Sequence, residues 1–300
     1  MSRQGTIKRY TLIIQKLERK YLPSFDDLKS MMIEEGFSIS ARTLQRDIEQ
    51  IRNEFGVIIR YDKLKNGYYI DKESTINFES FIRFLEIVAT ADLLMNSIQE
   101  GKEMLSFISF EAENGLKGID KLKDLLSATR DKNRITFKHY NWHTKKSKSF
   151  ILEPYLLKQY QNRWYIYGKL KNTDSFFTFG IERIEDLKVL SEKFKTKVNF
   201  DAHEKFDSVV GLNSSGGERE KIVISALYPQ ANYFKTLPLH NTQEIVLDSE
   251  TEMVFSIYVI PNFELVQKIF SHVELVKVIE PQWLVDDIIK RCQSIVNRYS

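Results

Sequence analysis

The fold of the first part of this chain is decided by the stretch Ser40-Ala41-Arg42-Thr43-Leu44-Gln45-Arg46-Asp47-Ile48. Ser40 is a residue type that caps helix N-termini and Gly56 is a type that ends helices, so a helix is predicted over residues 41–55. At about 100° per residue, this helix has an apolar stripe on one side and a polar face on the other. We expect the stripe to pack on neighbouring helices and the polar face to be exposed. The stripe comprises Leu44, Ile48, Ile51 and Phe55, and the polar face comprises Arg42, Arg46, Glu49 and Asn53.

Two shorter helices are predicted before this one, and a β-hairpin after it. Apolar residues over 7–17 recur with a helical period, and Ser24-Phe25-Asp26-Asp27 resembles the capping box that begins a helix, which would end near Gly36. Residues 57–61 and 67–70 are β-rich, and Asn66-Gly67 predicts the turn of a hairpin between them. Three helices followed by a hairpin predict a winged helix-turn-helix over residues 1–72.

The third helix is predicted to read DNA. In helix-turn-helix proteins, side chains near the start of the recognition helix reach base edges in the major groove, where arginine pairs bidentately with guanine. Lys63 and Lys65, at the predicted hairpin tip, would rest on backbone phosphates. The alternative is a solvated helix face on which Arg46 contacts Glu49 or Gln50. Asp47 points sideways, and we interpret it as structural. The predicted DNA-binding residues are Ser40, Arg42, Thr43, Gln45, Arg46, Asn53, Lys63 and Lys65.

Composition limits the class of protein. A chain of 300 residues favours two or three domains. Residues 1–72 contain 14 Lys/Arg and 10 Asp/Glu, a net charge of +4, which leaves −1 for the rest of a chain whose net charge is +3. The positive charge therefore lies where a contact with a polyanion would need it. The single cysteine excludes an internal disulfide and a cysteine-based zinc cage. No apolar run is long enough for a membrane span or a secretory signal, so we expect a cytoplasmic protein that does not contact membranes.

The remaining chain is predicted to be α+β. A long helix over residues 78–98 reads as a connector or dimerisation element, and a shorter helix over 118–130 follows a strand-like run at 105–110. Short β-rich runs then predict a small barrel, and a linker at 213–217 leads to a β-α-β-β-α-β order, which is ferredoxin-like. The predicted β-runs of the barrel are residues 135–140, 149–157, 163–170, 176–179 and 184–190. The predicted domains are the winged helix-turn-helix at 1–72, a helical linker or dimerisation region at 73–132, the barrel at 133–212 and the ferredoxin-like domain at 213–300.

Several motifs along the chain resemble those of WYL-domain transcriptional regulators. Residues 42–48 with Gly67-Tyr68 resemble the DeoR-like winged helix-turn-helix of these proteins. Arg163-Trp164-Tyr165-Ile166-Tyr167-Gly168 is similar to the motif that names the family, with isoleucine in place of leucine. The runs at 135–140, 153–158 and 179–184 agree with its context, and Glu280-Pro281-Gln282-Trp283-Leu284 looks like the C-terminal extension of the family. The resemblance covers nearly the whole chain.

This resemblance implies a small Sm-like β-barrel that binds an effector, a nucleotide or single-stranded nucleic acid, in a basic and aromatic pocket. Arginines pair with phosphates, and aromatic faces stack on bases. Because side chains alternate along a strand, Arg163 and Tyr165 share one face and Trp164 is predicted to lie in the core. The candidate effector-binding residues are Tyr140, His143, Lys158, Tyr160, Arg163, Tyr165 and Arg183.

Gly180 departs from the family pattern, which has an arginine there. Either Lys158 or His143 supplies the missing positive charge, or the ligand is not a phosphorylated one, or the barrel serves only in assembly.

The sequence favours a regulator over an enzyme. It contains no glycine-rich phosphate loop and no nucleophile motif, and His139 and His143 lack a third metal ligand at a telling spacing. We therefore predict no catalytic residues, no metal and no cofactor. The predicted function is a sequence-specific transcriptional regulator that binds a double-stranded DNA operator as a homodimer and senses an effector of unknown identity. The alternative is a ligand-binding or assembly protein whose N-terminal domain contacts protein.

Overall fold

The computed structural model describes residues 3–19, 22–75, 78–100, 118–196, 200–214 and 217–300. The chain divides into two compact units, Met1–Glu111 and Ala112–Ser300. Helices and antiparallel sheets are both present, as predicted for an α+β protein.

The described residues of the first unit form four helices and one hairpin. Both predicted caps are present: Ser24 and Asp27 form a capping box, and the Ser40 side chain accepts a hydrogen bond from the backbone N–H of Thr43. Gly56 ends the third helix with a φ of 69°. The predicted helices and hairpin strands are confirmed. The elements are α1 (Arg3–Glu18), α2 (Phe25–Glu34), α3 (Ala41–Phe55), β1 (Ile59–Asp62), β2 (Gly67–Ile70) and α4 (Phe78–Glu100).

The predicted second strand, Gly67–Ile70, is confirmed, and of the Asn66-Gly67 pair placed at the turn only Asn66 belongs to it. Asp62 pairs with Gly67, so the turn comprises residues 63–66 and Gly67 is a strand residue. The Asp62 carboxylate accepts hydrogen bonds from the backbone N–H groups of Leu64 and Lys65, at 2.9 and 3.1 Å. Glycine is required at 67 for a different reason, since a Cβ there would lie 2.4 Å from the carbonyl oxygen of Leu22.

One hydrophobic core joins the helices of the first unit. Leu44, Ile48 and Ile51 of α3 are buried in it, as predicted, and Phe55 is partly buried. The start of α4 also belongs to this core, through Phe78, Phe81 and Leu85. The first helix of the predicted linker region therefore packs with the N-terminal unit.

The first described helix of the second unit packs on a five-stranded antiparallel sheet. The strand order is β6-β5-β4-β3-β7, and no pairing among the described residues joins β6 to β7. Leu125 and Ala128 of the helix share a core with the sheet. The predicted strand-like run at 105–110 lies outside the described residues. The elements are α5 (Ile119–Asp131), β3 (Asn133–Asn141), β4 (Lys146–Tyr160), β5 (Arg163–Leu170), β6 (Phe176–Gly180) and β7 (Ile184–Lys193), with a 3-10 turn at Ile181–Arg183.

The last part of the chain has the predicted β-α-β-β-α-β order. Its four-stranded antiparallel sheet has the order β11-β8-β10-β9, and the helices bury one face of it in a separate core. Residues 215 and 216 of the predicted linker lie outside the described residues. The elements are α6 (Ala202–Phe206), β8 (Glu220–Leu227), α7 (Gln230–Thr236), β9 (Glu244–Asp248), β10 (Glu252–Val259), α8 (Phe263–Phe270), β11 (Val276–Glu280) and α9 (Gln282–Tyr299).

Candidate nucleic-acid interface and ligand site

The polar face of α3 is exposed. Arg42, Arg46 and Asn53 lie on it, together with Gln45. Ser40 and Thr43 have a local task at the helix start, where Ser40 Oγ lies 3.1 Å from the backbone nitrogen of Thr43 and 3.0 Å from its hydroxyl. The exposed arginines are thus carried by a capped helix whose opposite side is buried. This geometry can present cationic side chains to a groove.

A buried ion pair fixes α3 against α1. Arg9 Nε lies 2.6 Å from Asp47 Oδ2 and Arg9 Nη2 lies 3.0 Å from Asp47 Oδ1, a bidentate arrangement. The two side chains are 2% and 0% exposed. A structural role was predicted for Asp47, but its partner Arg9 was not predicted. The two residues lie 38 positions apart. The only sign of the pair in the sequence is a charged residue on a helix that otherwise packs by apolar side chains.

The two predicted lysines lie in the turn of the hairpin. Lys63 and Lys65 are both exposed there. The strands behind them are braced by Tyr61 and Tyr68, whose ring centroids are 5.0 Å apart, and Tyr61 donates a hydrogen bond to the Asn66 side chain. The turn therefore presents two cations on an ordered hairpin.

The strand register gathers four of the predicted effector residues on one face of the five-stranded sheet. Lys158 lies opposite Tyr165, and Tyr160 lies opposite Arg163, on adjacent antiparallel strands. Such directly opposed residues have neighbouring side chains. Trp164 points to the other face and packs against the buried core, which confirms its predicted place.

Trp142 completes this face, and sequence analysis missed it. Its ring is 54% exposed. The guanidinium carbon of Arg183 lies 4.7 Å from the ring centroid and that of Arg163 lies 5.9 Å from it. The only sign of this role in the sequence was the position of an aromatic residue in the turn after a predicted strand. The arrangement combines a flat apolar surface with two cations. A ligand with a ring and a negatively charged group would fit both features.

Gly180 pairs with Tyr165 on the adjacent strand β5, so it lies on the same face of the sheet as Tyr165. A Cβ at this position would lie 2.8 Å from both carboxylate oxygens of Glu182 and 3.0 Å from Arg183 Nη2. Glu182 and Arg183 form an ion pair at 3.5 Å. A carboxylate and its arginine partner therefore fill the space into which a larger side chain at 180 would extend.

Burial and nearby charges shift the pKa values of the groups on this face. Burial raises the pKa of Tyr165, and Glu182 adds to this effect. Burial also raises the pKa of Tyr160, with a contribution from Glu264 of α8. For Lys158, burial lowers the pKa, and its Nζ lies 4.9 Å from the Phe206 ring centroid.

His139 lies next to the site on β3. Burial lowers its pKa to about 4, and Arg183 contributes to the shift in the same direction. Its Nε2 is buried without a hydrogen-bond partner. The imidazole is thus neutral at physiological pH. Of the two remaining predicted residues, Tyr140 is half-buried near the end of β3 and His143 is exposed in the following turn.

Comparison with known families identifies the region that carries this face. Residues 120–189 match the WYL domain. This region is a WYL domain. The match begins in α5, which sequence analysis assigned to the linker, and it includes β3 to β6 and the motif around Trp164.

The solved structures that are similar to the chain include a proteasome accessory factor and a CRISPR Cas-related protein. Proteasome accessory factor B/C of Arthrobacter aurescens has 17% identity and a TM-score of 0.32, and the match covers 97% of this chain and 46% of that chain. A CRISPR Cas-related protein has 12% identity and a TM-score of 0.42, with 99% of this chain and 85% of that chain covered. This chain thus spans less than half of the accessory factor's length. No curated protein matches the sequence.

Two further features of the described ranges concern membranes and metals. No helix there combines the length and the apolar character needed to cross a membrane. The same residues contain no group of three or more His, Cys, Asp or Glu side chains placed to hold a metal ion.

Proposed function

We propose that this protein is a sequence-specific DNA-binding transcriptional regulator. The WYL domain fits a regulator of the WYL family. In this proposal α1 to α3 and the hairpin form a winged helix-turn-helix, α3 is the recognition helix, and Lys63 and Lys65 contact phosphates. The second unit senses an effector on the face of an Sm-like barrel.

One observation carries the DNA-binding proposal. Arg42 and Arg46 are exposed one turn apart near the start of α3, while the buried Arg9–Asp47 pair fixes the rotation of that helix. Bidentate recognition of guanine needs a guanidinium held in a defined orientation. Burying an ion pair costs free energy, and conformational specificity, here a fixed orientation of α3, is one use of such a pair.

The DNA-binding test is a fluorescence-anisotropy titration against the protein's own upstream DNA and a scrambled duplex, at two salt concentrations. The wild type is expected to prefer the upstream duplex with a steep salt dependence, because binding to phosphates releases counterions. Arg42→Glu/Arg46→Glu should lose this preference, since each bidentate arginine–guanine pair contributes roughly 1–3 kcal/mol of discrimination.

The matched control is Lys123→Glu/Lys188→Glu, which makes the same charge change on exposed residues of the second unit. It should retain the preference for the upstream duplex. Operator preference that persists in a folded Arg42→Glu/Arg46→Glu variant would remove the recognition helix from the proposal. Equal, salt-independent binding to both duplexes would instead favour the protein-binding alternative.

We further propose that the effector contains a ring that stacks on Trp142 and a negatively charged group that contacts Arg163 and Arg183. A mononucleotide or a short single-stranded oligonucleotide has this chemistry. Two protomers would each place one recognition helix in a half-site, about one helical turn or a multiple of it apart. The effector would change operator affinity by binding with different affinity to two spacings of the winged domains.

The effector proposal is tested by isothermal titration calorimetry with mononucleotides and short single-stranded oligonucleotides, a readout that does not depend on the tryptophan that is replaced. Stacking contributes roughly 1–3 kcal/mol per base, so Trp142→Ala should weaken binding by roughly 5- to 150-fold. Trp283→Ala is the control, because Trp283 is 48% exposed but lies on α9, away from this sheet. Equal affinity of the two variants would exclude Trp142 as the stacking surface.

A further inference from the structure

Two glutamates border the candidate effector face of the five-stranded sheet, and neither has a role in the proposed function. Glu182 lies in the 3-10 turn after β6, and Glu264 lies in the first turn of α8, in the C-terminal part of the same unit. Besides burial, both carboxylates raise the pKa of Tyr165, and Glu264 also raises the pKa of Tyr160. The two acidic groups therefore lie at one face, although they come from different parts of the second unit.

Glu182 lies over the strand position of Gly180. The backbone angles of Gly180, φ −66° and ψ 125°, are open to any residue, so the backbone does not call for glycine here. What the glycine provides is space, since a Cβ would lie 2.8 Å from both carboxylate oxygens of Glu182. The Glu182 carboxylate therefore occupies the place of a side chain opposite Tyr165.

A second glycine admits Glu264 in a similar way. A Cβ on Gly211 would lie 2.8 Å from both Cβ and Cγ of Glu264 and 3.3 Å from the hydroxyl oxygen of Tyr160. The φ of Gly211, 94°, also favours glycine. The Glu264 side chain is thus brought next to Tyr160, which lies opposite Arg163 on the adjacent strand.

One oxygen of each carboxylate is buried without a hydrogen-bond partner among the described residues. These atoms are Glu182 Oε1 and Glu264 Oε2. Glu182 Oε1 lies 3.5 Å from Arg183 Nε, but neither atom makes a hydrogen bond. Because buried polar atoms are normally hydrogen-bonded, two such oxygens at one face favour a ligand that supplies the missing donors. A carboxylate only accepts hydrogen bonds, so this part of the ligand carries N–H or O–H groups.

We propose that Glu182 and Glu264 select an effector base that carries an exocyclic amino group. This inference rests on the proposed function, in which a ring stacks on Trp142 and a negatively charged group contacts Arg163 and Arg183. The two arginines disfavour a cationic ligand, whereas the amino group of guanine, adenine or cytosine is a neutral donor at the edge of the base. Both oxygens are shielded from solvent, so binding involves rotation about the last side-chain torsion, which has a broad minimum.

Pairs of nucleotides that differ by one amino group test the proposal. The pairs are the monophosphates of guanosine and inosine, of adenosine and purine riboside, and of cytidine and zebularine. Each base is titrated by calorimetry as its monophosphate and at the centre of a short single strand. In at least one pair, the base with the amino group should bind roughly 10- to 150-fold more tightly, as expected for a hydrogen bond to a charged acceptor.

Substitution of each glutamate shows whether it reads the amino group. Glu182→Ala and Glu264→Ala should each move the ratio of the two affinities towards one, a readout that a general change in charge or stability leaves unaltered. Glu250→Ala is the matched control, on an exposed glutamate between β9 and β10, and should keep the ratio. If an alanine variant does not fold, glutamine keeps the shape of the side chain and takes its place.

The outcomes separate this inference from the effector proposal. Equal affinity within all three pairs would overturn the selection of an amino group and retain the face as a ligand site. A ratio that survives in one glutamate variant would remove that glutamate, and survival in both would overturn the inference. A wild-type chain that binds none of the bases in either form would overturn the effector proposal itself, and this inference with it.

Discussion

For Asp47, the sequence predicted a structural role, and the structure shows the contact that provides it. Its angular position on α3, away from both the apolar stripe and the arginine face, indicated a structural role. Its partner, Arg9, lies 38 residues earlier, and no local spacing relates the two. A long-range pair of this kind depends on how two helices cross, which is a property of packed side chains. The residue's role was therefore predictable and its contact was not.

Breaking this pair should destabilise the first unit strongly. Arg9→Met leaves the buried Asp47 carboxylate without a partner, and we expect a loss of about 3–5 kcal/mol in the free energy of unfolding. Arg9→Met/Asp47→Leu should recover most of that loss, because replacing a whole buried ion pair with apolar side chains is often neutral. Urea denaturation followed by far-UV circular dichroism measures both effects.

An exposed pair in the same unit provides the control for this prediction. Arg83 and Glu86 on α4 form an ion pair at 3.0 Å, but their side chains are 66% and 57% exposed. Arg83→Met should therefore change the free energy of unfolding by about 1 kcal/mol or less. If Arg9→Met had an effect as small as that of Arg83→Met, the Arg9–Asp47 pair could not hold α3 in place.

At the level of elements, local signals predicted the helices better than the hairpin. Ser24, Ser40 and Gly56 act through hydrogen bonds or backbone angles within a few residues of themselves, so their effects can be read from the sequence. Gly67 was predicted both as part of the turn and as the first residue of the second strand. It is the strand residue, and a glycine is needed there because another backbone approaches. That approach comes from Leu22, which no short-range pattern connects to the hairpin.

Gly168, in the motif that resembles the WYL signature, is a second glycine of this kind. A Cβ there would lie 2.3 Å from the carbonyl oxygen of Glu153 on the neighbouring strand β4. Gly168→Ala should therefore force the two strands apart and cost about 1–3 kcal/mol. Chemical denaturation followed by the fluorescence of Trp164, four residues away on β5, reports this loss.

Gly180→Ala is the matched comparison on strand β6. The atoms that its methyl group would meet are the ends of the Glu182 and Arg183 side chains, which can move aside. We expect a smaller loss of stability than for Gly168→Ala. The reverse order would mean that the ion pair of Glu182 and Arg183 is more rigid than the backbone of the sheet.

At the scale of the whole molecule, the order of elements was predictable and their grouping into cores was only partly so. The β-α-β-β-α-β order at the end of the chain follows from periodicity alone and is observed. The region assigned as a linker instead contributes α4 to the first core and α5 to the WYL domain. The sequence of an amphipathic helix shows that one of its faces is apolar. It does not show which neighbouring helix or sheet covers that face. The Trp142 face was missed for the same reason, since it joins residues of a turn, a strand and a 3-10 turn.

The separation of the cores leads to a last prediction. Ile13 belongs to the core of the first unit and Ile224 to that of the C-terminal sheet, and both are fully buried. Truncation of either to alanine should cost about 2–5 kcal/mol. Because the two side chains belong to different clusters, their effects should fall on different unfolding transitions. Trp142, Trp164 and Trp283 all lie in the second unit, so tryptophan emission follows that unit alone.

Ile224→Ala should thus lower the midpoint of the tryptophan transition, whereas Ile13→Ala should leave it unchanged and lower a transition seen only by far-UV circular dichroism. The double variant should show both shifts at their single-variant sizes, as expected for sites without shared partners. A tryptophan transition that moves with Ile13→Ala would mean that the two cores unfold together. In that case binding of the proposed effector to the second unit would change the stability of the first unit, which contains the proposed recognition helix α3, and the two cores would not be independent.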